Sequence, residues 1–172
     1  MHQYPTLAQQ SITNYLCTQK IIDPPADLSA ELLANRAGCF VTLHQKNGEL
    51  RGCIGTITPV QPNLALEIIH NAVQSATADP RFPALTSSQL ADLEISVDVL
   101  SEPELIREAE QLDPKKYGVI IKTDDGRTGL LLPDLEGVDD AKQQMRIASQ
   151  KGGINIHTDN FSLYRFSVTR YK

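Results

Sequence analysis

Leu7, Ala8, Ile12, Tyr15 and Leu16 recur close to a 3.6-residue period, which predicts an amphipathic helix over residues 7–20. Asp23-Pro24-Pro25 stops it, and Leu28, Leu32 and Leu33 mark a short second helix. Gly38 then opens the run CFVTL, whose aromatic and β-branched content favours a strand. Asn47-Gly48 follows, a strong hairpin signal because both residues tolerate positive φ, so residues 38–45 are expected to pair with residues 49–55.

Further on, Leu64, Ala65, Ile68, Ile69, Ala72, Val73 and Ala76 trace one face of a helix over residues 62–78, with Pro62 in its first turn. Asp79-Pro80-Arg81-Phe82-Pro83 must end it, since proline disfavours helical backbone in the residue before it. Thr86 with Gln89 three residues later reads as the capping box of a short helix. Residues 94–99 alternate strictly, predicting a strand with one buried and one wet face. Asp124-Asp125-Gly126 separates two strand-like runs, residues 118–123 and 127–132, and Pro133 ends this second hairpin. Residues 139–150 form a last helix, with Ala141, Met145, Ile147 and Ala148 inward and Gly152-Gly153 as its stop. Tyr164, Phe166 and Val168 alternate along one final strand. Strands in hairpins with helices between them predict an α+β fold, mainly antiparallel sheet flanked by helices. With 172 residues and no long linker or repeat, a single domain over residues 1–172 is expected.

Composition narrows the function classes. Leu, Ile, Val and Phe make up about 27% of the chain, above the roughly 20% below which chains tend to stay disordered. The net charge of −5 repels polyphosphate, and the lack of Trp removes base-stacking platforms, so nucleic acid is a poor partner. No run of about 18 apolar residues and no leader pattern occur, which predicts a cytoplasmic protein with no membrane contact. Cys17, Cys39 and Cys53 are an odd number without metal-ligand spacing, so free thiols are expected, with no metal site. No dinucleotide, nucleophile-elbow or zinc-protease motif is present, and no cofactor is expected.

Candidate chemistry concentrates in Leu50-Arg51-Gly52-Cys53-Ile54-Gly55. Two glycines within a strand mark a place where another backbone or a ligand approaches closely. If Asn47-Gly48 are the whole loop, Thr42 faces Cys53 and His44 faces Arg51, and these four side chains share one face opposite Val41, Leu43, Leu50 and Ile54. A cation beside Cys53 would favour its reactive thiolate. The competing reading makes Cys53 a small buried hydrophobe, Arg51 an ion-pair partner and His44 a solvated residue. Asp79 and Arg81 form a second candidate: the two prolines would present Arg81 as a rigid fork to an anion, or the turn is a cage that ties down the helix end.

These segments, together with Leu131-Leu132-Pro133 and Lys151-Gly152-Gly153-Ile154, occur in the order seen in the AMMECR domain family, whose bacterial and archaeal members are called AmmeMemoRadiSam system protein A. The chain resembles that family from about Leu7 to Tyr171, and the stretch from Leu50 to Gly55 matches its signature. The resemblance implies an active or binding site at Cys53 and Arg51, with Gly52 and Gly55 shaping the approach. It also implies a pathway shared with a Memo-type protein and a radical S-adenosylmethionine (radical SAM) protein. Two readings follow. In one, an enzyme uses Cys53 as nucleophile or group carrier, with Arg51 orienting a small anionic substrate, His44 moving protons, and Thr42, Asp79 and Arg81 lining the site. In the other, a non-catalytic adaptor uses the same strand to dock a protein such as the Memo-type partner by edge addition.

Overall fold

In the computed structural model, which describes residues 2–172, Asn47-Gly48 closes a hairpin between β1 (Cys39–Gln45) and β2 (Leu50–Thr56), but within a three-residue loop. The Gly48 N–H donates to the Gln45 carbonyl at 2.8 Å, and the Gln45 N–H donates to that of Glu49 at 2.8 Å. Gly48 sits at φ +88°, as the left-handed residue ending such a loop must. One extra loop residue moves the register by one, so His44 faces Leu50 and not Arg51. A bulge beside Leu43 then leaves Arg51 without an opposite residue and restores the expected pairs Leu43 with Gly52 and Thr42 with Cys53. The predicted His44–Arg51 pair is therefore overturned, while Thr42–Cys53 stands.

The chain falls into two compact units. The first runs to Leu100 and takes back Thr169–Lys172. Its four-stranded sheet has the order β2-β1-β3-β8, with β3 at Leu93–Leu100 and β8 at Val168–Tyr171, and β1 is antiparallel to both β2 and β3. Helix α1 (Gln3–Thr18) starts earlier than its periodicity indicates because the His2 imidazole accepts from the Tyr4 N–H. It stops at Gln19, which adopts left-handed backbone before the prolines are reached. Two short helices, α2 (Ala30–Ala34) and α4 (Ser87–Leu90), frame α3 (Leu64–Thr77), and α4 carries the expected Thr86–Gln89 capping box. The α3 helix is capped by the Asn63 side chain, which accepts from the Leu66 N–H at 2.9 Å, so Pro62 lies before the helix. Leu64, Ala65, Ile68, Ile69 and Ala72 of α3 bury against Val41, Leu43 and Val97 of the sheet and Leu7 and Ile12 of α1. Removing that much apolar surface from water is the main force holding this unit together.

The polar face of β3 departs from the expectation of a wet face. Ser96 and Asp98 are buried, Asp98 to 1% exposure, and only Glu94 is open. Arg170 of β8 explains it: its Nε and Nη2 each donate to an Asp98 oxygen at 2.7 Å, supplying the bonds that water would have made.

The second unit, Ser101–Val168, holds a sheet of order β4-β7-β5-β6. Its strands are Glu104–Ile106 (β4), Gly118–Thr123 (β5), Thr128–Leu131 (β6) and Phe161–Phe166 (β7), and the paired strands are antiparallel. Helix α5 (Ala141–Lys151), capped by the Asp140 side chain, packs Ala148 against Val119, Ile121, Leu131 and Leu163. The β5–β6 turn repeats the first hairpin's geometry, with Gly126 at φ +91°. Tyr164, Phe166 and Val168 do not lie on one strand. Ser167 breaks the run by pairing with Ser101 through two 3.0 Å bonds, and β7 and β8 join different sheets. The architecture is α+β with antiparallel hairpins flanked by helices.

Candidate functional site

Strand β2 is an edge strand, so half of its backbone groups have no strand to pair with. At Cys53 the segment after α3 supplies the missing partners. The Cys53 N–H donates to Asp79 Oδ2 at 2.9 Å, and Arg81 Nη2 donates to the Cys53 carbonyl at 3.3 Å. A side-chain pair thus stands in for a neighbouring strand over one residue. Because these groups point away from β1, Cys53 and Thr42 form the closer kind of antiparallel pair, and Thr42 Oγ1 lies 3.3 Å from Cys53 Sγ.

Asp79 is 4% exposed and also accepts from the Arg81 N–H at 3.1 Å, from Arg81 Nε at 3.0 Å and from Arg81 Nη2 at 2.7 Å. Hydrogen bonds from the Arg81 side chain, helped by those from the Cys53 and Arg81 backbones, hold its carboxyl well below the usual carboxylate range. The same bonds from Asp79 raise Arg81, with a smaller contribution from Cys53. The two prolines fix the turn that makes this possible. Arg81 is thus engaged by Asp79 and Cys53, as in the cage reading of this turn, although its side chain remains 54% exposed.

The remaining sequence candidates separate. Arg51, on the bulge, is 8% exposed and its Nη2 donates to the Pro83 carbonyl at 2.9 Å. Two guanidinium groups approach the Phe82 ring, that of Arg51 at 5.8 Å and that of Arg81 at 5.5 Å from its centroid. His44 faces Leu50 across the hairpin and Glu94 across β3. It lines a hollow of about 390 Å³ with Glu94, Ser96 and Arg170, and it makes no hydrogen bond to Cys53 among the described residues. A Cβ on Gly52 would collide with the Ser75 carbonyl of α3, and one on Gly55 with the Phe40 ring. The close approaches signalled by the two glycines are therefore made by a helix backbone and an aromatic ring.

All three cysteines are free thiols in different settings: Cys17 exposed, Cys39 buried and Cys53 half-buried. Burial pushes the Cys39 thiol up to about 12, against the hydrogen bond it receives from Asn71. Asn71 also donates to the Cys39 carbonyl at 3.0 Å and to Thr56 Oγ1 at 3.2 Å. Glu67, 1% exposed, accepts from the Thr56 hydroxyl and from the N–H groups of Val60 and Gln61 at 2.9 and 2.8 Å. This pair anchors the start of β1 and the end of β2 to α3, and sequence reasoning missed it. The available signal was two polar residues four apart within the apolar run of that helix.

The family model described as AMMECR1 matches residues 5–171. A protein of Thermotoga maritima is 52% identical over 171 residues, 99% of this chain and 98% of the relative. A longer protein of Clostridium acetobutylicum is 47% identical over 170 residues, and the match spans 98% of this chain but 36% of that protein. The crystal structure of an uncharacterized protein from Pyrococcus horikoshii superposes with a TM-score of 0.87 at 33% identity, covering 97% of this chain and 88% of that one. No helix among the described residues is long and apolar enough to cross a membrane. With the family model matched almost end to end and a relative 52% identical over 99% of the chain, the chain belongs to the AMMECR1 family.

Proposed function

We propose that Cys53 is the reactive group of a thiol-dependent enzyme acting on a small anionic substrate, in a pathway shared with Memo-type and radical SAM proteins. The observation that carries this reading is the treatment of Cys53. Its backbone is held on both sides by Asp79 and Arg81, its Sγ lies against the Thr42 hydroxyl, and the residue keeps access to water. A cysteine that only fills space needs none of this, as Cys39 illustrates by its full burial. A fixed, accessible thiol with a hydroxyl and a guanidinium beside it suits transfer of a group from an activated donor. The Cys53 sulfur forms a bond to the group, the bond from the group to its leaving atom breaks, and the thiol proton departs with the leaving group. Thr42 orients the sulfur, and the exposed side of Arg81 attracts the anion. Arg51 lies behind the same turn, bonded to the Pro83 carbonyl and 5.8 Å from the Phe82 ring, as a second cation for the anion.

Docking by edge addition has less support, because the outward N–H and C=O of Cys53 are already bonded. Alkylation at neutral pH, followed residue by residue by mass spectrometry, tests the thiol reading. Cys53 should react faster in the folded protein than in the urea-unfolded chain, while Cys39 stays unmodified until unfolding. Cys53 reacting no faster than in the unfolded chain would overturn the proposal. A complex with the Memo-type protein that survives Cys53→Ser and fails on Arg51→Glu would favour an adaptor instead.

A further inference from the structure

Arg51 is a cation at 8% exposure with no ion pair to any described residue. Charged side chains are almost never buried without a partner, because losing water costs more than one carbonyl returns. Of its five N–H donors, one is engaged among the described residues, by the Pro83 carbonyl. Arg51 also forms part of the wall of a cavity of about 450 Å³, within the size range of small-molecule sites. The rest of the wall is rich in donors. Lys46 adds a second cation, bonded to Asp92 at 2.9 Å with both side chains largely exposed. Gln89 and Asn47 each use their side-chain oxygen locally, on the N–H groups of Thr86 and Glu49, which leaves their amide nitrogens without a partner among the described residues. Counting Asp92, the wall carries one net positive charge on a chain of net −5.

We infer that this cavity, between the β1–β2 turn and α4, binds a small organic oxyanion, a carboxylate or a phosphate monoester, with the Arg51 guanidinium as its anchor. A planar guanidinium with unspent donors matches two oxygens of either group. The bulge leaves Arg51 without an opposite residue on β1, so no cross-strand neighbour takes up its charge. The site deepens the proposed function by saying where an anionic substrate is held, and it rests on that reading only for calling the bound anion the substrate.

Binding is measured by an NMR titration with inorganic phosphate and, separately, succinate, at ionic strength held constant with sodium chloride. The amide signals of Asn47, Gly48 and Gln89 should shift and saturate with at least one anion, and the one that binds more tightly identifies the headgroup. Arg51→Gln should weaken that affinity about tenfold or more, in line with loss of a charge-assisted bond. Gln89→Glu keeps the capping oxygen on an exposed position and adds a negative charge to the wall. It should weaken binding about threefold or more, and it decides the matter if Arg51→Gln does not fold. No saturable shift beyond sodium chloride alone, or equal affinity in the folded variants and wild type, would overturn the assignment. Anion binding is read by NMR and Cys53 reactivity by alkylation, so an inert thiol and an empty cavity are separate failures.

Discussion

The two hairpins share one turn and differ in everything that follows it. Lys46-Asn47-Gly48 and Asp124-Asp125-Gly126 are both three-residue loops ending in a left-handed glycine. From the second, β5 and β6 pair without interruption from Lys122–Thr128 to Val119–Leu131. From the first, β1 and β2 pair for one step and then bulge at Arg51. The arginines differ as much. Arg127 donates to Asp125, Asp159 and the Gly153 carbonyl, and these bonds hold both carboxyls below their ordinary range. Arg51 has one carbonyl and the Phe82 ring, 5.8 Å from its guanidinium. One hairpin's arginine is paired with two carboxylates, while the other's lies at the wall of a cavity with no ion pair to a described residue. Local frustration of this kind is expected where stability has been given up for binding.

The strongest challenge to this contrast is packing, which predicts that the hairpins behave alike. A Cβ at Gly52 would strike the Ser75 carbonyl, and one at Gly129 would strike that of Ala148. Gly52→Ala and Gly129→Ala should each cost about 2–3 kcal/mol, read from urea midpoints at constant slope. A Gly52→Ala protein as stable as wild type would mean that β2 is packed more loosely than β6. Asp79→Asn should have the next largest effect. It removes an acceptor that holds a backbone N–H and a guanidinium, and because Arg81 is half exposed and screened, about 1–2 kcal/mol is expected. The carboxyl of Asp79 is depressed in the folded state, so its contribution is complete above the unfolded value of about 4 and is lost as pH falls through the folded value. Urea midpoints measured from about pH 5 downwards should therefore decline less steeply in Asp79→Asn than in wild type. The smallest effect sharpens the comparison most. Arg127→Gln should lower the melting temperature, whereas Arg51→Gln should change stability by no more than about 1 kcal/mol, since removing an unpaired buried charge relieves its desolvation. An Arg51→Gln protein that melts far below Arg127→Gln would make Arg51 a structural residue.

Most of the fold was legible because it follows from period and punctuation. The apolar positions of α3, the capping box at Thr86 and both turn glycines are local signals, and each appears where expected. The site was half legible for a related reason. Thr42 opposite Cys53 was readable only because two departures cancel, a loop longer by one residue and a bulge that absorbs it. Neither leaves a mark in the sequence, since Asn-Gly serves two- and three-residue loops alike. His44 lies between the two departures and is therefore the residue whose partner was misjudged. Long-range polar pairing was beyond reach: nothing near Asp98 announces Arg170, and nothing near Cys53 announces Asp79. The break at Ser167 was hidden in the same way, because alternation continues through it and only its bonds to Ser101 end the strand.

The clamp on Cys53 also sets a clock. An amide on a sheet edge ordinarily meets water freely and trades its proton for deuterium quickly, but the Cys53 N–H is held by a carboxylate contributed from 26 residues along the chain. Its proton can leave only when the segment after α3 lifts away, so the exchange rate of this single amide reports how often this strand edge is bared.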